Sequence, residues 1–154
     1  MILTQMIIQS WHLTVKRVSD LFFNLTEKEM MREVSPNRNR GIYLLGHLTA
    51  SHNSMFPLLG FREPMFSELK NHFLINSDKL KEKPFTVAEL LEKWMAVNDE
   101  LKKHFNNLST EDWLQKHTAI SDEDFVKEPH RNRLNVVLSR TNHLSYHQGQ
   151  LTLL

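Results

Sequence analysis

The stretch Asn132-Arg-Leu-Asn-Val-Val-Leu-Ser-Arg-Thr-Asn-His-Leu-Ser-Tyr-His-Gln-Gly-Gln-Leu-Thr-Leu-Leu154 decides the fold class by its spacing. At about 100° per residue, Val136, His143, His147, Gln150 and Leu154 fall on one stripe, with Leu144 and Leu151 at its border. That is the period of an α-helix, expected from about residue 132 to the end of the sequence. Leu151-Thr-Leu-Leu154 carries no stop signal, so a short further tail is expected. His143 and His147 stand one turn apart on the inward stripe and can share one ion; the same spacing also suits an exposed or hydrogen-bonded pair.

Working outward, three more segments carry the helical period, and only Gly41, Gly46, Gly60 and Gly149 are available to interrupt them. In the first, about 2–25, the apolar face is Ile7, Trp11, Val18, Leu21 and Leu25; Thr26 and Glu29 then form a capping box for a short turn. The breaker-rich Ser35-Pro-Asn-Arg-Asn-Arg-Gly41 precedes a second helix at about 42–58, disturbed near its end by Pro57. Residues 60–85, bounded by Pro64 and Pro84, read as a long connection with a short helix at about 66–75. The third helix starts at the Thr86/Glu89 capping box, and its seam runs through Val87, Leu91, Trp94, Asn98, Leu101, Phe105 and Leu108. Ser109 with Asp112 opens a short helix through Trp113, while 121–133, charged and containing Pro129, is expected to be loop. The fold is therefore all-α: one domain over 1–154, a four-helix bundle with at least one long crossover, since no single helix could bury its own stripe.

Composition narrows the chemistry. With no cysteine there can be no disulfide, thiolate ligand or cysteine nucleophile, which fits a reducing compartment. Nineteen basic residues against 18 acidic give a net charge of +1, so no general attraction to nucleic acid or anionic lipid is built in. The N-terminal apolar run is broken by Thr4, Gln5 and Gln9 and has no positive charge before Lys16, unlike a signal peptide. No apolar stretch approaches the roughly 20 residues needed to span a bilayer, and a cytoplasmic protein is expected. Nine histidines stand out, because imidazole is the commonest neutral nitrogen ligand.

His47 lies in the apolar Leu44-Leu-Gly-His-Leu-Thr-Ala50 and so points into a core or a cleft; taken alone it reads as a core histidine satisfied by hydrogen bonds. Ala50, Ser51 and Ser54 lie on or beside its stripe and leave room for a ligand. His52, five residues on, faces away and is not expected to share an ion with His47. His72, His104, His117 and His130 are expected at the surface, whereas His12, near Ile8, Val15 and Phe22, could line the same cavity as His47.

Gly46-His47 together with Asn142-His143-Leu-Ser-Tyr-His147-Gln-Gly149-Gln150-Leu resembles the DinB superfamily, and the order of elements matches over essentially the whole chain. The resemblance implies that His47, His143 and His147 bind a divalent metal, Zn, Ni, Fe or Mn, in an up-down-down-up bundle that is often a homodimer. Gly149 would then allow close helix approach, and Gln150 could hydrogen-bond at the site mouth; His12, Ser51 and Gln150 are the candidate substrate-pocket residues. Three nitrogen ligands leave a divalent ion an open position, as in catalytic zinc sites, where it can acidify water or a thiol and polarise a carbonyl.

Family members include enzymes using low-molecular-weight thiols such as bacillithiol or mycothiol, and others proposed to be hydrolases. The expected function is therefore a thiol S-transferase-like or hydrolase-like metalloenzyme acting on a small molecule. The competing reading is a non-catalytic metal- or ligand-binding bundle dimer. There is no HExxH, and no glutamate precedes His47, His143 or His147 by three residues, which disfavours a di-iron carboxylate centre and leaves no evident general base.

Overall fold

The computed structural model describes residues 2–79 and 84–154. The chain runs α1 (Ile2–Asn24), α2 (Glu27–Met30), α3 (Gly41–Asn53), α4 (Met55–Leu58), α5 (Glu68–Lys70), a π turn (Asn71–Ile75), α6 (Val87–Asn106), α7 (Thr110–Trp113), α8 (Asp122–Lys127) and α9 (Arg133–Leu151). Among the described residues there is no strand, only isolated bridges between Glu33 and Arg40 and between Lys116 and Asn132. No helix there is long and apolar enough to cross a membrane. The expected connection over 60–85 includes residues 80–83, which lie outside the described residues.

Side-chain caps fix the helix starts that the sequence marks. Thr26, Thr86 and Ser109 each accept from the backbone N–H three residues on, and Glu29, Glu89 and Asp112 return the bond to the cap backbone. Asn132 caps α9 in the same way through the N–H of Asn135. Two expectations change. The helix expected at 42–58 divides at Ser54, because Pro57 has no N–H to give to Asn53; it is instead tolerated in the first turn of α4. The segment 121–133 is not all loop: Ser121 caps the six-residue α8. That helix buries no side chain, so it carries no apolar period for a sequence reading to find.

Helix α1 packs against α9 and α6, and α3 packs against α6 and α9. Contacts along these seams alternate in order. Trp11 meets Phe105 at a tilt of 57° with 4.8 Å between centroids, whereas Phe22, three turns later, meets Trp94 edge-on at 5.6 Å. The Trp94 indole N–H donates to Ser19 at 2.8 Å. On the other side, His47 of α3 meets His143 of α9, and Arg32, ahead of α3, donates to the carbonyl of Leu154.

Two apolar clusters fill the interior. One, with Phe22, Leu44, Leu48, Phe73, Trp94 and Leu144, underlies the histidines. The other, with Trp11, Phe56, Leu101, Phe105, Trp113 and Val137, closes the far end. Each such side chain contributes on the order of 1.5–3 kcal/mol by leaving water, and this scaffold sets the positions of the polar groups between them.

Candidate metal centre

Two helices supply the three histidines. His47 projects from the middle of α3, whose neighbours on every side are buried. His143 and His147 project from one face of α9, as their four-residue spacing requires. The Nε2 atoms of His47 and His147 lie 3.1 Å and 3.0 Å from Nε2 of His143, and one ligand atom from each ring falls within 4.8 Å of the others.

The outer nitrogens are held from behind. Nδ1 of His47 lies 2.9 Å from the carbonyl of Phe73, and because a carbonyl only accepts, Nδ1 carries the proton and Nε2 keeps its lone pair. Nδ1 of His147 likewise donates to Oε1 of Gln150 at 2.7 Å, and the Gln150 amide donates on to the Tyr146 hydroxyl at 3.3 Å. Such bonds behind the ligating nitrogen orient metal-bound histidines generally. Tyr43, one turn before His47, stacks on its ring at 13° and donates to the carbonyl of Asn76, so α3 and the end of the π turn are tied on both sides of His47.

His143 cannot satisfy this arrangement alone. Its Nδ1 is buried with no hydrogen-bond partner. A proton on Nδ1 leaves three lone pairs facing one another; a proton on Nε2 satisfies only one neighbour and leaves Nδ1 bare. Burial first, then the neighbouring His147 and His47 and the Arg140 charge, push the His143 pKa down to about 3, so it is neutral near pH 7. Burial also lowers the pKa of His147, opposed by its bond to Gln150. Neutral imidazoles with converging lone pairs are the donor set a divalent ion takes. Tetrahedral zinc at its usual Zn–N length needs nitrogens about 3.3–3.4 Å apart, against 3.1 Å and 3.0 Å for the two pairs that share His143. The three histidines therefore fit such an ion, and imidazole donors suit zinc, iron and nickel.

The other expected residues are placed differently. Gln150 is at the triad. Ser51 is buried on α3 with its carbonyl accepting from Ser54. His12 sits on the α1–α6 side, against Trp11 and Phe105, and lines clefts there with Lys16, Asn98 and Lys102 rather than the triad. His52 does face away from His47: it is fully buried, donates from Nδ1 to Oδ1 of Asn98 at 2.7 Å, and packs on Trp94. Gly149 plays no part in helix approach, since a Cβ there would meet nothing within 4 Å.

Gly46 does have such a role. A Cβ on Gly46 would overlap the ring of Phe73, so only glycine lets the π turn lie on α3 with its carbonyl at His47. The sequence reading missed Phe73, Tyr43 and Arg140. The first acts through its backbone, which has no signature in residue type. Arg140 could have been found, because it lies three residues before His143 and shares its face.

No curated protein matches the chain. A solved structure, the "conserved protein of locus from Enterococcus faecalis", superposes with a TM-score of 0.65 at 16% identity, covering 97% of this chain and 92% of that one, a likeness of fold alone. The model of the DinB superfamily matches residues 6–151, taking in α3, α9 and all three histidines. The chain belongs to the DinB superfamily.

Proposed function

We propose that the protein is a divalent-metal-dependent enzyme acting on a small molecule at His47, His143 and His147, by thiol transfer or by hydrolysis. The observation that carries the reading is the convergence of three Nε2 atoms, two of them with tautomers set by Phe73 and Gln150. A divalent ion there would supply positive charge that acidifies a water or thiol and polarises a carbonyl. The chain's own residues hold the rings: Phe73 and Gln150 orient His47 and His147, and burial keeps His143 neutral. With no cysteine to serve as nucleophile and, among the described residues, no carboxylate grouped with the triad, thiol transfer is the better fit, because the co-substrate brings its own nucleophile.

The contacts along the helix seams support an up-down-down-up four-helix bundle of α1, α3, α6 and α9, with the crossover between α3 and α6. Trp11 with Phe105 and Phe22 with Trp94 run α6 opposite to α1. Gly41 beside Leu154 and His47 beside His143 run α9 opposite to α3. We also propose a homodimer through the outer faces of α1 and α9, where Ile2, Leu3, Met6 and Tyr146 are exposed.

The test is zinc titration of wild type, His147→Ala and His52→Ala, purified without a histidine tag. One zinc per chain in wild type and His52→Ala, and none in His147→Ala, is the expected result. Equal content in all three would refute the site. Metal-loaded protein should then accelerate conjugation of bacillithiol, mycothiol, glutathione or coenzyme A to halogenated or epoxide electrophiles, and His143→Ala should lose the effect. Activity on esters or amides alone would assign hydrolysis; silence on both panels in zinc-loaded protein would favour the non-catalytic bundle.

A further inference from the structure

One helical turn before His143, Arg140 presents a cation that no carboxylate among the described residues neutralises. Its side chain is half-buried, its Nε is buried without a hydrogen-bond partner, and among the described residues it forms no ion pair with any carboxylate. Arg131, in the same cleft, is by contrast paired with Glu128 at 3.0 Å. On α9 Arg140 stands three residues before His143, and its charge adds to the lowering of the pKa of both His143 and His52. Leaving a guanidinium partly desolvated and unpaired is costly, and such groups cluster where an anion completes them.

The surroundings of Arg140 are built from donors. It lines a cleft of about 220 Å³ together with Arg131, His117, Asn135 and Ser139, with Leu58 as an apolar wall and no acidic residue in the lining. His117 accepts on Nδ1 from the backbone N–H of Ala119, so its proton sits on Nε2. A planar guanidinium flanked by an imidazole N–H, an amide and a hydroxyl matches an oxyanion, which takes a bidentate bond from arginine and single bonds from the others. Along α9, Arg140 and His143 are separated by about 4.5 Å of rise, the span of a small molecule with an acidic group at one end.

We propose that the Arg140 cleft binds the acidic group, carboxylate or phosphate, of the small molecule whose reactive atom is presented to His47, His143 and His147. The inference rests on the reading of the triad as the reacting centre, and it adds a substrate class: small anions rather than neutral or cationic compounds.

The experiment titrates the full-length protein with sodium phosphate and with sodium acetate at low ionic strength, following the arginine Nε–H resonances by nuclear magnetic resonance. Zinc binding is measured on the same samples. Saturable movement of the Arg140 resonance is expected with at least one anion, and which of them acts distinguishes a phosphate from a carboxylate substrate. Arg140→Gln should weaken that binding about tenfold or more, with zinc stoichiometry unchanged, and Arg140→Lys should restore part of it. Ser139→Glu, an exposed substitution that supplies a competing carboxylate, should weaken anion binding to a similar degree and guards against misfolding of the arginine variants.

Absence of saturable binding in wild type would overturn the proposal. So would unchanged binding in folded Arg140→Gln or in Ser139→Glu. Anion binding without zinc binding would uphold the cleft while removing the triad reading; zinc binding without anion binding would do the reverse.

Discussion

Gly46 stands beside the first histidine because its missing side chain admits the Phe73 ring, and with it the carbonyl that orients His47. Gly46→Ala should therefore act twice. Overpacking against Phe73 should cost about 1–3 kcal/mol, read as a lower denaturation midpoint. Displacement of the Phe73 carbonyl should weaken zinc binding by about tenfold or more, as losing the bond behind a ligand does. An unchanged zinc affinity would mean that the carbonyl does not set the tautomer.

His52 carries a different expectation. Burial, only partly offset by its bond to Asn98, pushes its pKa down to about 4. The unfolded ring titrates near 6.5, so as pH falls below that value the unfolded chain gains a proton that the folded chain refuses. Stability should be full above about pH 6.5 and fall by roughly 1.4 kcal/mol per pH unit down to about pH 4. Urea midpoints of metal-free protein at about pH 7 and about pH 5 check this, and His52→Gln should flatten the dependence. The depressed His143 acts in the same direction. At this scale the triad was legible through the four-residue spacing of His143 and His147 plus the family motif at Gly46-His47. The carbonyl of Phe73 was not, because any residue offers one.

At the scale of elements, the caps were the most readable feature, since Thr86 with Glu89 is a local pattern that needs no tertiary context to form. Thr86→Ala should destabilise the protein by about 1 kcal/mol, measured by denaturant titration, without changing zinc stoichiometry, because α6 supplies no ligand. The segment 66–75 was legible as a short helix but not as a helix that changes its winding at Asn71. Five-residue hydrogen bonding is imposed by what the segment packs on, here the bare backbone at Gly46, and leaves no mark in the order of residue types. The division of the 42–58 helix, by contrast, was visible in Pro57 itself.

For the molecule as a whole, the apolar clusters surround Trp11, Leu48, Trp94 and Phe105 without calling on the triad. Chelation should accordingly lower the melting temperature while leaving helical circular dichroism intact at room temperature. Complete unfolding on chelation would make the site structural. Light scattering should give a dimer, and Tyr146→Glu on the outer face of α9 should shift it toward monomer; a monomeric wild type would refute the pairing proposed through α1 and α9. The all-α class could be read from the helical periods and the scarcity of glycine, whereas the pairing of seams depends on which faces meet and emerges only in three dimensions.

The π turn, finally, makes the centre sensitive to the length of the gene as well as to its spelling. Removing one codon between residues 71 and 75 would return the turn to ordinary helical winding and swing the Phe73 carbonyl away from His47. A descendant of this sequence could thus keep all three histidines and lose the site through a one-codon deletion more than twenty residues from any of them along the chain.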